Sequence, residues 1–332
     1  MTGAAGVEDG SAAWLGALPG SRHPVAAAAV VSSGNLTTAY RGTGPDGDFE
    51  IGSLSKGLTG LLYAEARTRG EIGDGTTLGD LLPLRDAPAA RVTLESLSTH
   101  RSGLPGLPRS AHPTRRTLAL WRHGTNPYGE DLDQLLDQAR GVPLGKPRPR
   151  YSNLGFELLG HALAAAADTP YAALLRRRVT DPLGCDDFYV PATADQLRPG
   201  ALTGRSRRGR PREPWTGEAV GPAGGVRATL TGMARLTAAL LDGSAPGVAA
   251  LEPVAPFGSG ARIGAAWITV RMKDRDVTWH NGGTGGFRSW LGLDRAAGTG
   301  VVLLSASAAP LDRYGFALLA EVGAAADAPD VR

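Results

Sequence analysis

Ser53 and Lys56 stand three residues apart in the segment FEIGSLSKGLTG, Phe49 to Gly60. A serine hydroxyl is a poor nucleophile at neutral pH and needs a base within hydrogen-bond reach. Residues three apart on a helix lie one turn apart on the same face, so an amine at 56 can sit beside a hydroxyl at 53. A serine that opens a helix also faces the positive end of the helix dipole and its free N–H groups, which favour negative charge. Leu54, Leu58, Leu61 and Leu62 give that helix an apolar face. Holding an amine against such a wall favours its neutral, proton-accepting form.

About a hundred residues on, RYSNLGFELLG places Tyr151 and Asn153 in a Y-x-N pattern ahead of a second apolar helical stretch. A phenol titrates about three units above neutral when unperturbed, so relaying a proton requires cations or donors close by. Near the C-terminus, WHNGGTGGFRSWLGLD sets His280 ahead of Asn281, Gly282 and Gly283. Glycines in a strand let another backbone come close. Singly, these residues read as a helix start with a solvated lysine, a turn aromatic and a helix-capping asparagine. In this order, S-x-x-K, Tyr-x-Asn and a Lys- or His-x-Gly strand make up the pattern of a serine acyl enzyme.

On these motifs the chain resembles the serine beta-lactamase and penicillin-binding-protein superfamily, in its class C beta-lactamase-related branch of esterases and D-aminopeptidases. LSTHRSGLP (97–105), DPLGCDDF (181–188) and PAGGVRATLTGMARL (222–236) are similar to that branch too, and the resemblance covers roughly residues 24 to 322. It implies Ser53 as nucleophile, Lys56 as the partner that helps deprotonate it, and Tyr151 as proton relay; either Lys56 or Tyr151 can be the working base. It further implies that Asn153 contacts the substrate acyl group and Lys56, and that the N–H groups of Ser53 and Gly283 hold the oxyanion. Gly282 and His280 belong to the same substrate-binding strand. No metal or other cofactor is implied.

The family mostly has Lys-Thr/Ser-Gly where this chain has His280-Asn281-Gly282. A lysine there offers a substrate carboxylate a permanent charge, whereas histidine is largely neutral at pH 7. Uncharged esters or amides are therefore expected over beta-lactams or D-Ala-D-Ala peptides, with His280 hydrogen-bonded to Tyr151. Arg288 reads as a surface residue on the next strand, and His100 with Arg101 as structural residues of a groove-shaping loop. The expected activity is a serine hydrolase that forms an acyl-Ser53 intermediate from a small ester or amide. The alternative is an acyltransferase that passes the acyl group to an amine or alcohol, a second substrate. A non-catalytic binding protein is opposed by the intact Ser53, Lys56 and Tyr151.

Elements at both ends of the chain must position these groups. Val25 to Ser32 and Asn35 to Tyr40 read as a hairpin joined at Ser33-Gly34. The Ser53 helix runs to about Arg69 and is closed by Gly70. Helical stretches follow near Leu118–Trp121, Leu132–Arg140, Phe156–Ala167 and Pro170–Val179. Ile263 to Val270, Asp276 to Trp279, Phe287 to Leu293 and Gly300 to Ser305 read as strands, followed by a helix from about Asp312 to Ala325. The expected fold is α+β. An antiparallel sheet from both termini, flanked by helices, forms a lobe of residues 1–72 plus 227–332, and residues 73–226 form an inserted, mainly helical lobe of one catalytic unit.

Composition limits the alternatives. The formal charge of +3 on 332 residues gives no electrostatic case for nucleic acid. The arginine-rich SRRGRPRE, 206–213, reads as an exposed, mobile loop ahead of an anion-binding one. Cys185 is the single cysteine, so no internal disulfide forms, and it reads as structural filler. The other histidines show no metal-ligand spacing. No basic start precedes an apolar core at the N-terminus, and apolar runs are too short to span a bilayer, so a cytoplasmic location without membrane contact is expected. The oligomeric state is left open.

Overall fold

The computed structural model describes residues 11–32, 34–107 and 111–326. In chain order come α1 (Ser11–Gly16), β1 (Ala26–Ser32), β2 (Asn35–Arg41), β3 (Asp48–Glu50) and α2 (Leu54–Thr68). Then follow α3 (Leu78–Leu81), α4 (Leu94–Ser98), α5 (Pro113–His123), α6 (Leu132–Arg140), α7 (Asn153–Ala166) and α8 (Tyr171–Leu175). The C-terminal part holds β4 (Arg227–Thr229), α9 (Leu230–Asp242), β5 (Ala255–Gly258), β6 (Ala261–Ile263), β7 (Ile268–Met272), β8 (Arg275–Gly283), β9 (Arg288–Asp294), β10 (Thr299–Ser305) and α10 (Asp312–Ala326).

Eight strands form one antiparallel sheet in the order β2-β1-β10-β9-β8-β7-β6-β5. The N-terminal hairpin thus pairs with the C-terminal strands, as expected, with Ala26 opposite Ser305 and Ser32 opposite Thr299. Ser33, at the expected turn, lies outside the described residues. Strand β1 reads AAAAVVS and is buried along nearly its whole length because both faces are covered. Ala27 and Ala29 join the large apolar cluster that includes α2, α7 and α9. Ala26, Ala28 and Val30 join a second cluster, with Leu15, Trp290, Leu318 and Leu319, under α1 and α10.

One expected strand is two. The chain from Ile263 to Val270 leaves the sheet between β6 and β7, where Gly264 N–H bonds the Trp267 carbonyl at 2.9 Å. The detour lets Ala265 and Ala266 bond the carbonyls of Ala250 and Ser98. It also carries Trp267 beneath α2, where the indole N–H bonds the Gly57 carbonyl at 3.3 Å. Strand β5, ahead of it, was not anticipated from the sequence.

A short second sheet, β3 with β4, steers the chain into α2. Arg227, fully buried, holds it: Nε lies 2.5 Å from Asp48 Oδ1 and Nη1 3.2 Å from Glu50 Oε1. Burial pushes the Glu50 carboxyl above its usual range despite the arginine. Helix α2 ends as expected, with Gly70 in the left-handed region at φ 70° and its N–H on the Arg67 carbonyl. Among the described residues no helix is long and apolar enough to cross a membrane.

Candidate active site

Ser53 is the residue from which α2 starts, and its hydroxyl caps no backbone N–H. It is therefore free for another partner, and Lys56 Nζ lies 3.2 Å from Ser53 Oγ. Lys56 is 0% exposed. A second N–H of its amine bonds the Ala223 carbonyl at 2.5 Å, in the tight turn 221–225 of the GPAGG segment. Its remaining side faces aromatic rings, 4.8 Å from the Tyr151 centroid and 6.0 Å from that of Phe156. A cation over a ring face is attracted by the ring's quadrupole, so this seat suits the ammonium that forms once the amine has taken a proton.

The strand end of β8 closes in from the other side. A Cβ on Gly282 would collide with the Ile51 carbonyl, and one on Gly52, at φ +53°, would come within 2.5 Å of the Gly283 nitrogen. Only glycines permit this approach, and it brings the Gly283 backbone beside the start of α2. Ser289 Oγ fastens the junction by donating to the Ile51 carbonyl at 2.6 Å.

Tyr151 precedes α7, whose cap is Ser152: its Oγ accepts from Gly155 N–H at 2.9 Å. Tyr151 is 41% exposed. Its hydroxyl bonds no described residue, so Lys56 meets the ring and not the oxygen. His100 was expected to be structural, and it fixes this loop from two sides. Nδ1 accepts from Ser152 N–H at 3.2 Å, the His100 carbonyl accepts from Arg150 N–H at 2.9 Å, and the rings of His100 and Tyr151 lie 4.5 Å apart.

Two expectations are corrected here. Asn153 makes no hydrogen bond to Lys56 or to Ser53; its Nδ2 donates to the Tyr128 hydroxyl at 2.9 Å, and Oδ1 is buried without a partner. As first residue of α7 it is turned toward the 126–130 segment. His280 makes no hydrogen bond to Tyr151. It is buried on β8, with Nδ1 2.6 Å from the Asn281 carbonyl. That contact requires the proton on Nδ1, so the unpartnered Nε2 is an acceptor and not a donor. Burial, with Lys56 nearby, pushes the ring down to about 4, so it carries no charge at neutral pH.

Glu157 was missed altogether. It lies buried on α7, and burial pushes its carboxyl up to about 8, with Glu130 adding to the shift and Lys56 opposing it. It lines a small cavity of about 140 Å³ with Tyr128, Leu135 and Trp215.

Ser53 opens into a larger cleft of about 950 Å³, walled by Asn281, Gly282, Gly283, Trp121 and Trp215. Arg207, Arg208, Arg210, Arg212 and Arg288 line it as well. Arg288 is thus corrected from a surface residue to a cleft residue, its Nη1 on the Thr284 and Phe287 carbonyls at 3.0 and 2.9 Å. A buried amine on a hydroxyl at a helix start, opposite a strand N–H, can deprotonate a serine and stabilise a developing oxyanion.

The chain is similar to known proteins in sequence and in fold. The family model described as Beta-lactamase matches residues 12–324. A D-alanyl-D-alanine-carboxypeptidase/endopeptidase AmpH of Escherichia coli (strain K12) is 31% identical over 46% of this chain and 39% of its own length. Penicillin-binding protein 4 of Amycolatopsis lactamdurans is 27% identical over 80% of this chain and 70% of its own. The chain therefore spans well under half of the first of these relatives. Among solved structures, a class C beta lactamase from Rhodobacter sphaeroides superposes with a TM-score of 0.76, at 21% identity, over 95% of this chain and 98% of that one.

Proposed function

The chain belongs to the beta-lactamase family of serine hydrolases, and from that premise we propose that it cleaves a small ester or amide through an acyl-Ser53 intermediate. The observation that carries this is the 3.2 Å contact between Ser53 Oγ and the buried Lys56 amine. In the proposed reaction Lys56 takes the hydroxyl proton as Oγ attacks the substrate carbonyl. The oxyanion then rests on the N–H groups of Ser53 and Gly283. Tyr151, with its hydroxyl uncommitted, passes a proton to the leaving group as the carbonyl re-forms; in the second half it takes one back from the attacking water while Lys56 returns its proton to the departing Ser53 Oγ. Water attacks the acyl-enzyme in the second half. Gly282 borders the acyl group, and the adjoining 140 Å³ cavity supports a short apolar one.

His280, buried and neutral, supports esters over beta-lactams, because no fixed cation stands where the family's lysine would. The size of the main cleft, about 950 Å³, favours a second reading in which an amine or alcohol replaces water as acyl acceptor. A cytoplasmic site of action belongs to the same proposal.

The test is labelling with a fluorophosphonate and location of the adduct by mass spectrometry, alongside turnover of a short p-nitrophenyl ester and of benzylpenicillin. The adduct is expected on Ser53, with the ester turned over and penicillin scarcely so. An adduct elsewhere, with Ser53→Ala fully active, overturns the nucleophile; penicillin turnover at or above that of the ester overturns the substrate class.

A further inference from the structure

The acyl chemistry makes no use of the guanidinium groups in the cleft wall. Five of them share the cavity with Ser53, against one carboxylate, Asp312. That carboxylate already accepts from Asn281 Nδ2 at 2.8 Å. Elsewhere arginines have found acidic partners: Arg116 has Glu130, Arg178 has Glu71, Arg227 has Asp48. Among the described residues none of the five cleft arginines lies within ion-pair distance of a carboxylate.

The loop that carries three of them is built into the fold. Ser206 and Arg210 close it through an N–H to carbonyl bond of 2.8 Å, and Ser206 Oγ accepts from the N–H groups of Arg208 and Arg210 at 3.3 and 3.1 Å. Its base is fixed to the catalytic strands. Arg205 N–H lies 3.0 Å from the Gly286 carbonyl and 3.1 Å from that of Ala306, and Ala308 N–H returns to the Arg205 carbonyl at 2.8 Å. Arg212 is aimed by the Leu120 carbonyl at 2.7 Å. Burial, and after it the neighbouring Arg207, push the Arg288 guanidinium below its usual range, with Asp312 opposing.

Such crowding is relieved by an anion of more than one charge. A carboxylate brings one charge and two oxygens; a phosphate monoester brings nearly two and three terminal oxygens, matched to guanidinium forks. We propose that this arginine wall binds a phosphate-class group of the substrate, so that the natural ester or amide is a phosphorylated compound. This rests on the acyl-Ser53 reading and adds the substrate's charge to it.

Three acetyl esters of phenols that differ only at the para position test it: phenyl acetate, para-acetoxybenzoate and para-acetoxyphenyl phosphate. The phosphate is expected to exceed the neutral ester in kcat/KM by about tenfold or more at low salt, the sum of several exposed charge contacts, with the gap closing as salt rises. In the Arg207→Ala/Arg208→Ala/Arg210→Ala protein, or in Arg208→Glu should the triple variant not fold, that ratio should collapse toward one. Equal turnover of all three by the wild type overturns the arginine wall and leaves the acyl-enzyme standing. Absence of both turnover and a Ser53 adduct overturns the acyl-enzyme instead. In that event titration of inorganic pyrophosphate into Ser53→Ala protein decides the inference alone. Saturable binding weakened tenfold or more by the arginine substitutions upholds it, and no binding, or binding they leave unaltered, ends it.

Discussion

Lys56 meets the Ser53 hydroxyl, the Ala223 carbonyl and the Tyr151 ring at once, and each contact constrains the next. Tyr151→Phe keeps the ring over the amine and removes only the hydroxyl. It should keep its melting temperature while kcat on a p-nitrophenyl ester falls by about 10²-fold or more, the usual range for a lost acid–base group. An unaltered kcat would remove Tyr151 from the proton path. Ser53 and Lys56 were legible in the sequence because their relation is local, one helical turn. Asn153, His280 and Glu157 were not legible to the same depth. Where an amide points, which ring nitrogen keeps its proton and whether a helix carboxylate is sealed from water depend on segments far away in the chain. For Glu157 the only sequence signal was a charge inside the apolar run NLGFELLGHALAAA.

At the scale of elements, α2 is positioned by its neighbours more than by its own propensity. The pair β3–β4 delivers the chain to Ser53, and the buried Arg227 binds Asp48 and Glu50 across it. Arg227→Ala leaves two buried carboxylates unpaired and should cost about 3–5 kcal/mol in urea unfolding. A loss below about 1 kcal/mol would mean that water reaches the site. The element plan was readable because alternating and helical apolar periods survive at both ends of the chain. The break between β6 and β7 was hidden by a continuous apolar run. The arginine loop looked bland because its meaning lies in one docking contact, Arg205 on Gly286 and Ala306.

Across the whole molecule, buried titrating groups set the pH of greatest stability. His280 and His23 are pushed down to about 4, so the unfolded chain binds more protons than the native one below about 6.5, and stability falls as pH drops toward 4. His100 and His161 are lowered as well and act with the same sign. Glu157, held up at about 8, keeps its proton in the native state, so stability declines as pH rises toward 8. The melting temperature should therefore peak near pH 6.5, and Glu157→Gln should flatten the decline on the alkaline side. A wild-type profile flat from 6.5 to 8 would contradict the burial of this carboxyl. The division into a lobe of 1–72 with 227–332 and an inserted lobe of 73–226 stands as our proposal. Because one apolar cluster runs from Ala27 through Leu158 to Leu304, the two should melt in a single calorimetric transition.

The pairing of β1 with β10 has a kinetic consequence. Strand β1 leaves the ribosome well before β10, the strand it pairs with, for Ala26 lies opposite Ser305. Until then an alanine- and valine-rich segment meant to be covered on both faces has one hairpin partner and a bare edge. Closure over so long a loop is slow, and an uncovered edge invites other chains. A newly made chain thus passes through an aggregation-prone interval until β10 closes on β1, and a chain cut short before Thr299 never leaves it.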